Sequence, residues 1–454
     1  IKCVSYKNRF INIQRHIWDG SNNSIERIHP LSCLNIENLS GDNLIDLNLP
    51  FTPWDSFSVW SSFENIDSSI YKRLDPEIIF KSKLRLDLND SKEYEELIKT
   101  NLIKLDNESK QKVLDLYSYS NSIIEDTFDI YKLTKKLKSN NMIPCIIFNP
   151  NKNCCIEIFK QLVNDLENNE KTNYPYYYDN LETRYKLYES YKKRRDELEK
   201  NLKEDVKYIK LKRYDEKELE IYRDKISDIY NKQENKIREL EIDSNLKTLK
   251  LSNLKTEYLN EMEKISIEEV DLFEKHQDFS FTISPMKSKR IRFLRNEISK
   301  KLDMKIRYEN TLIQGLKRGI GIYTKNLPDI YLRIVQELAQ NKELGIVISD
   351  DSLALGINMP FKTTVICGWK NSKKYDPLIY HQMIGRAGRR GMDTEGNLVF
   401  VNIDWKTLLQ SKMGKVKGNK EIPINYEICK YLESPLEFDS IIFWKLLILS
   451  TYLK

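Results

Sequence analysis

The sequence predicts an α/β protein: a parallel sheet with helices on both faces, a long charged helical insertion, and a helical start to a C-terminal module. Three observations carry this. Short apolar runs bounded by turn formers (PCIIFNP, RGIGIY, ELGIVIS, TTVICG, GNLVFVNI) alternate with helical stretches, and that alternation specifies a parallel sheet covered on both sides. Residues 176–284 contain neither proline nor glycine and keep apolar residues at helical spacing between opposite charges. From PINYEICKYL onward the tail is helical and apolar.

Taken in order, FINIQRHIW and IERIHPLSCLNI flank the polar turn DGSNN. Pro50 and Pro53 then rule out a continuous helix through LNLPFTPWDSF. Residues 92–139 have the spacing of a helical region, through Leu97, Leu102, Leu105, Val113, Leu114 and Leu116. NMIPCIIFNP is a compact apolar run between punctuators, the pattern of a buried parallel strand. The charged stretch predicts an antiparallel helical hairpin reversing at DSN, residues 243–245. It is either a clamp or partner-docking arm or, more simply, a solvated helix pair. After Pro285, RGIGIY, ELGIVIS, TTVICG and GNLVFVNI are strands, Pro328 opens the helix LPDIYLRIVQELAQN near its first turn, and DPLIYHQMIG begins another.

The 74 basic and 68 acidic residues nearly cancel to +6, which permits a polyanionic partner without demanding one. No apolar run reaches the length of a membrane span, and no signal pattern opens the chain. Seven cysteines without a CxxC pair suit a reducing, intracellular setting. The four histidines (His16, His29, His276, His381) stand outside helical reach of one another, so no metal is assigned to them.

Chemistry concentrates in YHQMIGRAGRRG, residues 380–391. A guanidinium keeps its charge at any relevant pH and matches phosphate oxygens as a planar fork. Arg386 and Arg389 are three apart, so a helical start places them on one face, with Gly385 and Gly388 leaving room for close approach. Such a set suits a polyphosphate; a basic helix face or a generic nucleic-acid patch is the alternative. RGIGIYTKNLP and ISDDSLALGINMP leave strands directly, and in an open parallel sheet all three segments can line the carboxyl rim.

QMIGRAGRRG resembles motif VI of the superfamily 2 helicases, and SDDSLALGINMP resembles their motif V. With RGIGIYTKNL just upstream, the set is similar to the second RecA-like domain of DExH-box RNA helicases, within the superkiller and antiviral branch. PCIIFNP resembles the motif IV strand, and VSYKNRFINIQRHIW the segment leading into that domain. The resemblance covers most of residues 1–410 except the charged insertion, and a helical insertion between motifs IV and V is itself similar to what the antiviral branch carries. It implies an ATP-dependent RNA helicase using ATP and Mg2+, with RNA as partner and a protein docked on the insertion as a further one. Arg389 would be the arginine finger and Arg386 its partner on the same phosphate. Gln382, Gly385, Gly388, Gly356 and Asn358 would serve the nucleotide. Ser352, Gly319, Gly321 and Asn149 would meet the RNA backbone.

The sequence departs from the family at several points. Asp350 replaces the usual threonine, and a carboxylate facing phosphate would repel it; holding a neighbouring arginine is its alternative role. Tyr323 and Thr324 replace paired histidines, and Asn149–Pro150 a serine–arginine pair. Neither a GxxxxGK[ST] loop nor a DExH tetrad occurs, so the β- and γ-phosphate cradle and the Mg2+ ligands are expected on a first RecA-like domain preceding Ile1. The expected divisions are 1–170 and 286–410 for the two parts of the RecA-like domain, 171–285 for the insertion and 411–454 for the start of a winged-helix-like module. A non-catalytic nucleic-acid-binding module, or a DNA helicase or translocase of the same superfamily, remains the alternative function.

Overall fold

The computed structural model describes residues 12–39, 50–83, 85–118, 128–174, 177–201, 204–263, 265–267, 274–283, 288–354, 359, 361–370, 377–389 and 392–403. The chain divides into two compact units. The first draws on Ile1–Asp19, Ile25–Asp126 and Gly388–Lys454, the second on Gly20–Ser24 and Thr127–Ala387.

In the first unit, β1 (Asn12–Asp19) lies between β2 (Ser24–Arg27) and β7 (Glu395–Val401). β1 and β7 run parallel, in register from Asn12 opposite Glu395 to Ile17 opposite Phe400. Pro53 opens a helix: α1 (Pro53–Ser62) starts from a reciprocal cap in which Thr52 Oγ1 accepts from the Asp55 amide at 3.1 Å and Asp55 Oδ2 accepts from the Thr52 amide at 2.7 Å. The helical region expected over 92–139 is three helices, α2 (Leu88–Lys104), α3 (Asn107–Leu116) and α4 (Ile130–Ser139). Asp106 and Asp129 end its continuity by capping new N-termini. Leu97 and Leu116 of the apolar pattern are exposed, while Leu102, Leu105, Val113 and Leu114 are buried.

The second unit contains α4 and four parallel strands in the order β6 (Thr363–Cys367), β3 (Cys145–Phe148), β5 (Ile346–Ser349), β4 (Ile320–Tyr323). Strands β3, β5 and β6 are buried along their whole length, which is why each reads as an unbroken apolar run. The helices α5 (Lys152–Asn173), α10 (Thr311–Lys317) and α11 (Asp329–Gln340) pack on them. The fold is therefore α/β and RecA-like, as the sequence predicts.

The insertion differs from the expected hairpin. It is three antiparallel helices, α6 (Tyr177–Lys200), α7 (Glu204–Glu239) and α8 (Ser244–Glu263). The first reversal, after Asn201, carries no glycine or proline to announce it. Cross-helix pairs hold it instead: Arg195 with Asp215, Arg194 with Glu218, and Lys207 with Glu199 at 3.0 Å. Tyr222, Ile226 and Tyr230 form a small core with Leu254, Tyr258 and Met262. The second reversal falls at 240–243, slightly ahead of the expected 243–245, and Asp243 caps the helix that begins at Ser244.

The arm is rooted by a buried ion pair. Arg318 donates to Glu170 Oε2 at 2.6 Å and to the Phe279 carbonyl at 2.9 Å, and both charged side chains are 1% exposed or less. Tyr178 Oη donates to Glu170 at 2.8 Å, and the His276 amide donates to its other oxygen at 2.8 Å. Both 170 and 285 lie within the second compact unit, in its stretch Thr127–Ala387. Residues 411–454, expected to open a winged-helix-like module, lie outside the described residues.

Candidate nucleotide and nucleic-acid site

Because β3, β4, β5 and β6 are parallel, the residues that follow them share one rim: Asn149, Thr324, Asp350 and Trp369. Phe148 and Tyr323 both stand opposite Ser349, which fixes that alignment. Asn149 is fully buried. Its amide donates to the Ser349 carbonyl at 3.0 Å, its Nδ2 to the Trp369 carbonyl at 2.9 Å, and its Oδ1 accepts from the Asn151 amide at 2.9 Å. Asn149 therefore ties three strand ends together instead of meeting RNA. A buried amide must be satisfied internally, and this one is.

At the end of β5 the departure from the family finds its explanation. Asp350 is fully buried, and among the described residues it pairs with Ser352 and the Lys325 amide, not with an arginine. Its Oδ1 accepts from the Ser352 amide at 3.0 Å and from the Ser352 hydroxyl, while Oδ2 accepts from the Lys325 amide at 3.4 Å. The carboxylate caps the 3-10 turn Asp351–Ala354 and fastens it to the segment after β4. Ser352, expected to donate to an RNA phosphate, has its hydroxyl on Asp350.

Gly319 and Gly321 also take internal roles. Gly319 has φ +72°, and a Cβ there would stand 2.4 Å from the Thr282 nitrogen. Its amide donates to Leu316, and its carbonyl accepts from Gly345 and Ile346 at 3.0 and 3.1 Å. Gly321 lies in β4 opposite Val347, its missing side chain giving room to Val335 and Leu344. Both main chains are buried among the described residues. Thr324 is fully buried, and its hydroxyl has no partner among the described residues.

The glycine–arginine segment begins on α12 (Pro377–Ile384), which carries Gln382. The Gln382 carboxamide oxygen is enclosed without a partner among the described residues. Arg386 follows; its Nε and terminal nitrogen both reach the Ala354 carbonyl, at 3.3 and 2.7 Å. The bond fastens the segment to the end of the Asp351–Ala354 turn. Half-burial lowers the Arg386 pKa from its ordinary value. Gly385 is exposed. Gly388 takes φ +84°, a left-handed turn that glycine adopts without strain.

Arg389 belongs to the first compact unit, Arg386 to the second. Arg389 closes on Asp393 as a planar fork: Nε to Oδ2 and a terminal nitrogen to Oδ1, each at 2.7 Å, with the Arg389 amide on Oδ2 at 2.9 Å. The hydrogen bond with Asp393 raises the Arg389 pKa. Asp393 and the Ala354 carbonyl are functional neighbours that the sequence reading missed. The acid four residues after Arg389 was the one available signal. Gly356 and Asn358 lie outside the described residues, as do Arg390 and Gly391.

The architecture is that of a RecA-like α/β domain carrying helicase motif V and motif VI residues at and near its strand rim. The chain is homologous to the superfamily 2 DExH-box ATP-dependent RNA helicases. No family model matches it. It is 25% identical over 450 residues to a probable ATP-dependent RNA helicase DDX60-like of Homo sapiens, covering 93% of this chain and 23% of that protein. It is 35% identical over 111 residues to an uncharacterized helicase of Caenorhabditis elegans, covering 24% of this chain and 6% of the relative. With the ATP-dependent RNA helicase mtr4 of Schizosaccharomyces pombe the identity is 34% over 119 residues, 24% of this chain and 10% of the relative. The chain thus spans less than a quarter of the length of each. Among the described residues no helix is long and apolar enough to cross a membrane.

Proposed function

We propose that this chain supplies the second RecA-like lobe of an ATP-dependent RNA helicase that couples ATP hydrolysis to movement along a strand. The observation that carries this reading is the pre-set arginine pair of QMIGRAGRRG. Arg386 is fastened to the motif V turn through Ala354, and Arg389 is held as an oriented fork by Asp393. Both charges are permanent, and the carboxylate that holds Arg389 engages the same planar fork that a phosphate would. Arginines delivered to a transferring phosphoryl group are worth roughly 10³–10⁵ in rate.

In this reading Arg389 exchanges Asp393 for the terminal phosphate, and Arg386 supports it. Gln382 keeps the nucleotide role expected from the sequence, which requires its enclosed carboxamide to turn outward. Gly385 and Gly388 permit close approach, and Gly356 and Asn358 link the cleft to the strand. Ser352 would meet an RNA phosphate only by exchanging Asp350 for it, since its hydroxyl donates to that carboxylate. ATP supplies the phosphoryl group. The phosphate cradle and the Mg2+ ligands come from an opposing lobe, since this sequence contains neither GxxxxGK[ST] nor DExH.

The test is RNA-stimulated ATP hydrolysis by the complete protein, wild type against Arg389→Ala. The substitution should lower the rate by about 10³ or more while RNA affinity stays near the wild-type value. Wild-type turnover in the variant refutes the assignment. One observation favours the competing reading of a non-catalytic RNA-binding module: Asp393 already engages Arg389 through both carboxylate oxygens. A complete wild-type protein that binds RNA but hydrolyses no ATP would establish that reading instead.

A further inference from the structure

The helix α9 (Ser288–Leu302) and the segment after it form a basic surface that the helicase motifs do not use. Between residues 289 and 307 eight Lys and Arg stand against two acidic residues, an excess of +6 that equals the net charge of the whole chain. The rest of the chain is therefore close to neutral, and the imbalance is local. One face of α9 is apolar and buried through Ile291, Leu294 and Ile298. Lys289, Arg292, Phe293, Asn296 and Lys300, spaced by three and four, form the exposed stripe opposite. From Lys289 to Lys300 this stripe runs about 16 Å along the helix. Lys301, Lys305 and Arg307 extend it past the helix end, all exposed.

Among the described residues, ion pairs formed by Arg290 and Glu297 hold the helix. Arg290 pairs with Glu337 at 2.5 Å, and the single helix carboxylate, Glu297, pairs with Arg333 of α11 at 2.6 Å. Arg295 stacks on the Tyr308 ring at 3.8 Å, stiffening the turn that follows. Two large apolar side chains stand in the basic field, Phe293 at 59% and Met304 at 65% exposure. An exposed apolar ring beside exposed Arg292 and Lys300 suits a ligand that offers anions and flat apolar faces together, and single-stranded nucleic acid does so.

We propose that the exposed face of α9, continued through Arg307, is a second RNA-binding surface. Arg292, Lys300, Lys301 and Lys305 neutralise backbone phosphates, and Phe293 stacks a base. The proposal goes beyond the nucleotide site and borrows from the helicase reading only the choice of RNA as polyanion.

The test uses the full chain without nucleotide and a short fluorescent oligouridylate, with affinity measured across a salt series. Arg292→Ala, Lys300→Ala and Lys301→Ala together should weaken binding about tenfold at low salt and flatten the log–log salt slope by about 2, from roughly 0.7 per lost phosphate contact. Phe293→Ala should weaken binding about fivefold or more and leave the salt slope unchanged. Three exposed arm lysines neutralised together (Lys192→Ala, Lys212→Ala, Lys225→Ala) give the control for general charge loss. Wild-type affinity and slope in the triple α9 variant, or equal losses in the arm control, overturn the proposal. Tighter binding of polyglutamate than of oligouridylate to the same face overturns it in favour of an acidic protein partner. In the complete protein the α9 variant should retain ATP hydrolysis at saturating RNA, so its outcome is separable from that of Arg389→Ala.

Discussion

Replacing Glu170 by alanine should destabilise the second compact unit more than any surface change. The carboxylate is fully buried and accepts from Arg318 at 2.6 Å, from Tyr178 Oη at 2.8 Å and from the His276 amide at 2.8 Å. Its removal leaves a guanidinium in an apolar enclosure, with only the Phe279 carbonyl as a remaining partner for its terminal nitrogens. Breaking one side of a buried pair costs about 3–5 kcal/mol, because an uncompensated charge stays behind. The two other donors left without an acceptor add to this, though water entering the vacated space offsets part of it. A loss of about 4 kcal/mol is a large share of the roughly 5–15 kcal/mol that holds a typical domain. Urea unfolding followed by circular dichroism should show the midpoint falling at unchanged slope. The companion Glu170→Met with Arg318→Met should recover most of the loss, because no charge is then buried alone. A Glu170→Ala variant within about 1 kcal/mol of wild type would refute the reasoning, since it would mean that water reaches the pair.

Two further outcomes follow from local geometry. Gly319→Ala meets both a left-handed φ of +72° and a backbone nitrogen 2.4 Å from the new carbon; a loss above about 3 kcal/mol is expected from strain and displacement together, measured as a shift in melting temperature. His29 is held at about 4, below the ordinary 6.5, chiefly by desolvation against Phe51 and Tyr117. The fold keeps it neutral while the unfolded chain takes up a proton below pH 6.5, so its contribution is intact above that value and declines as pH falls towards 4. Between pH 7.5 and 5 it should lose about 2 kcal/mol, and His29→Gln should flatten that part of the pH–stability curve.

Much of the sheet was legible because a short strand buried on both faces is mostly apolar. CIIF, IVIS and TTVIC could be picked out with little reference to their neighbours. The helix after Pro328 was legible for the complementary reason, an apolar stripe at helical spacing with proline just before it. The arm's extra reversal was not, since Asn201 interrupts a run of good helix formers without any breaker. The site divides the same way. Arginines and glycines announce themselves by type, yet Asn149, Gly319 and Gly321 look like strand-contacting residues in the sequence and prove to be internal fasteners.

The sequence by itself determined the α/β class, the charged arm, and the resemblance of three segments to helicase motifs. Those depend on periodicity and residue type, which act over a few neighbouring positions. Only the tertiary structure decided that Arg318 meets Glu170, across 148 positions, whereas Asp393 stands only four positions from Arg389. The same fork of donors serves both pairings equally well. Which partner is taken depends on where the backbone brings a carboxylate within hydrogen-bond reach, and that is a property of the folded chain.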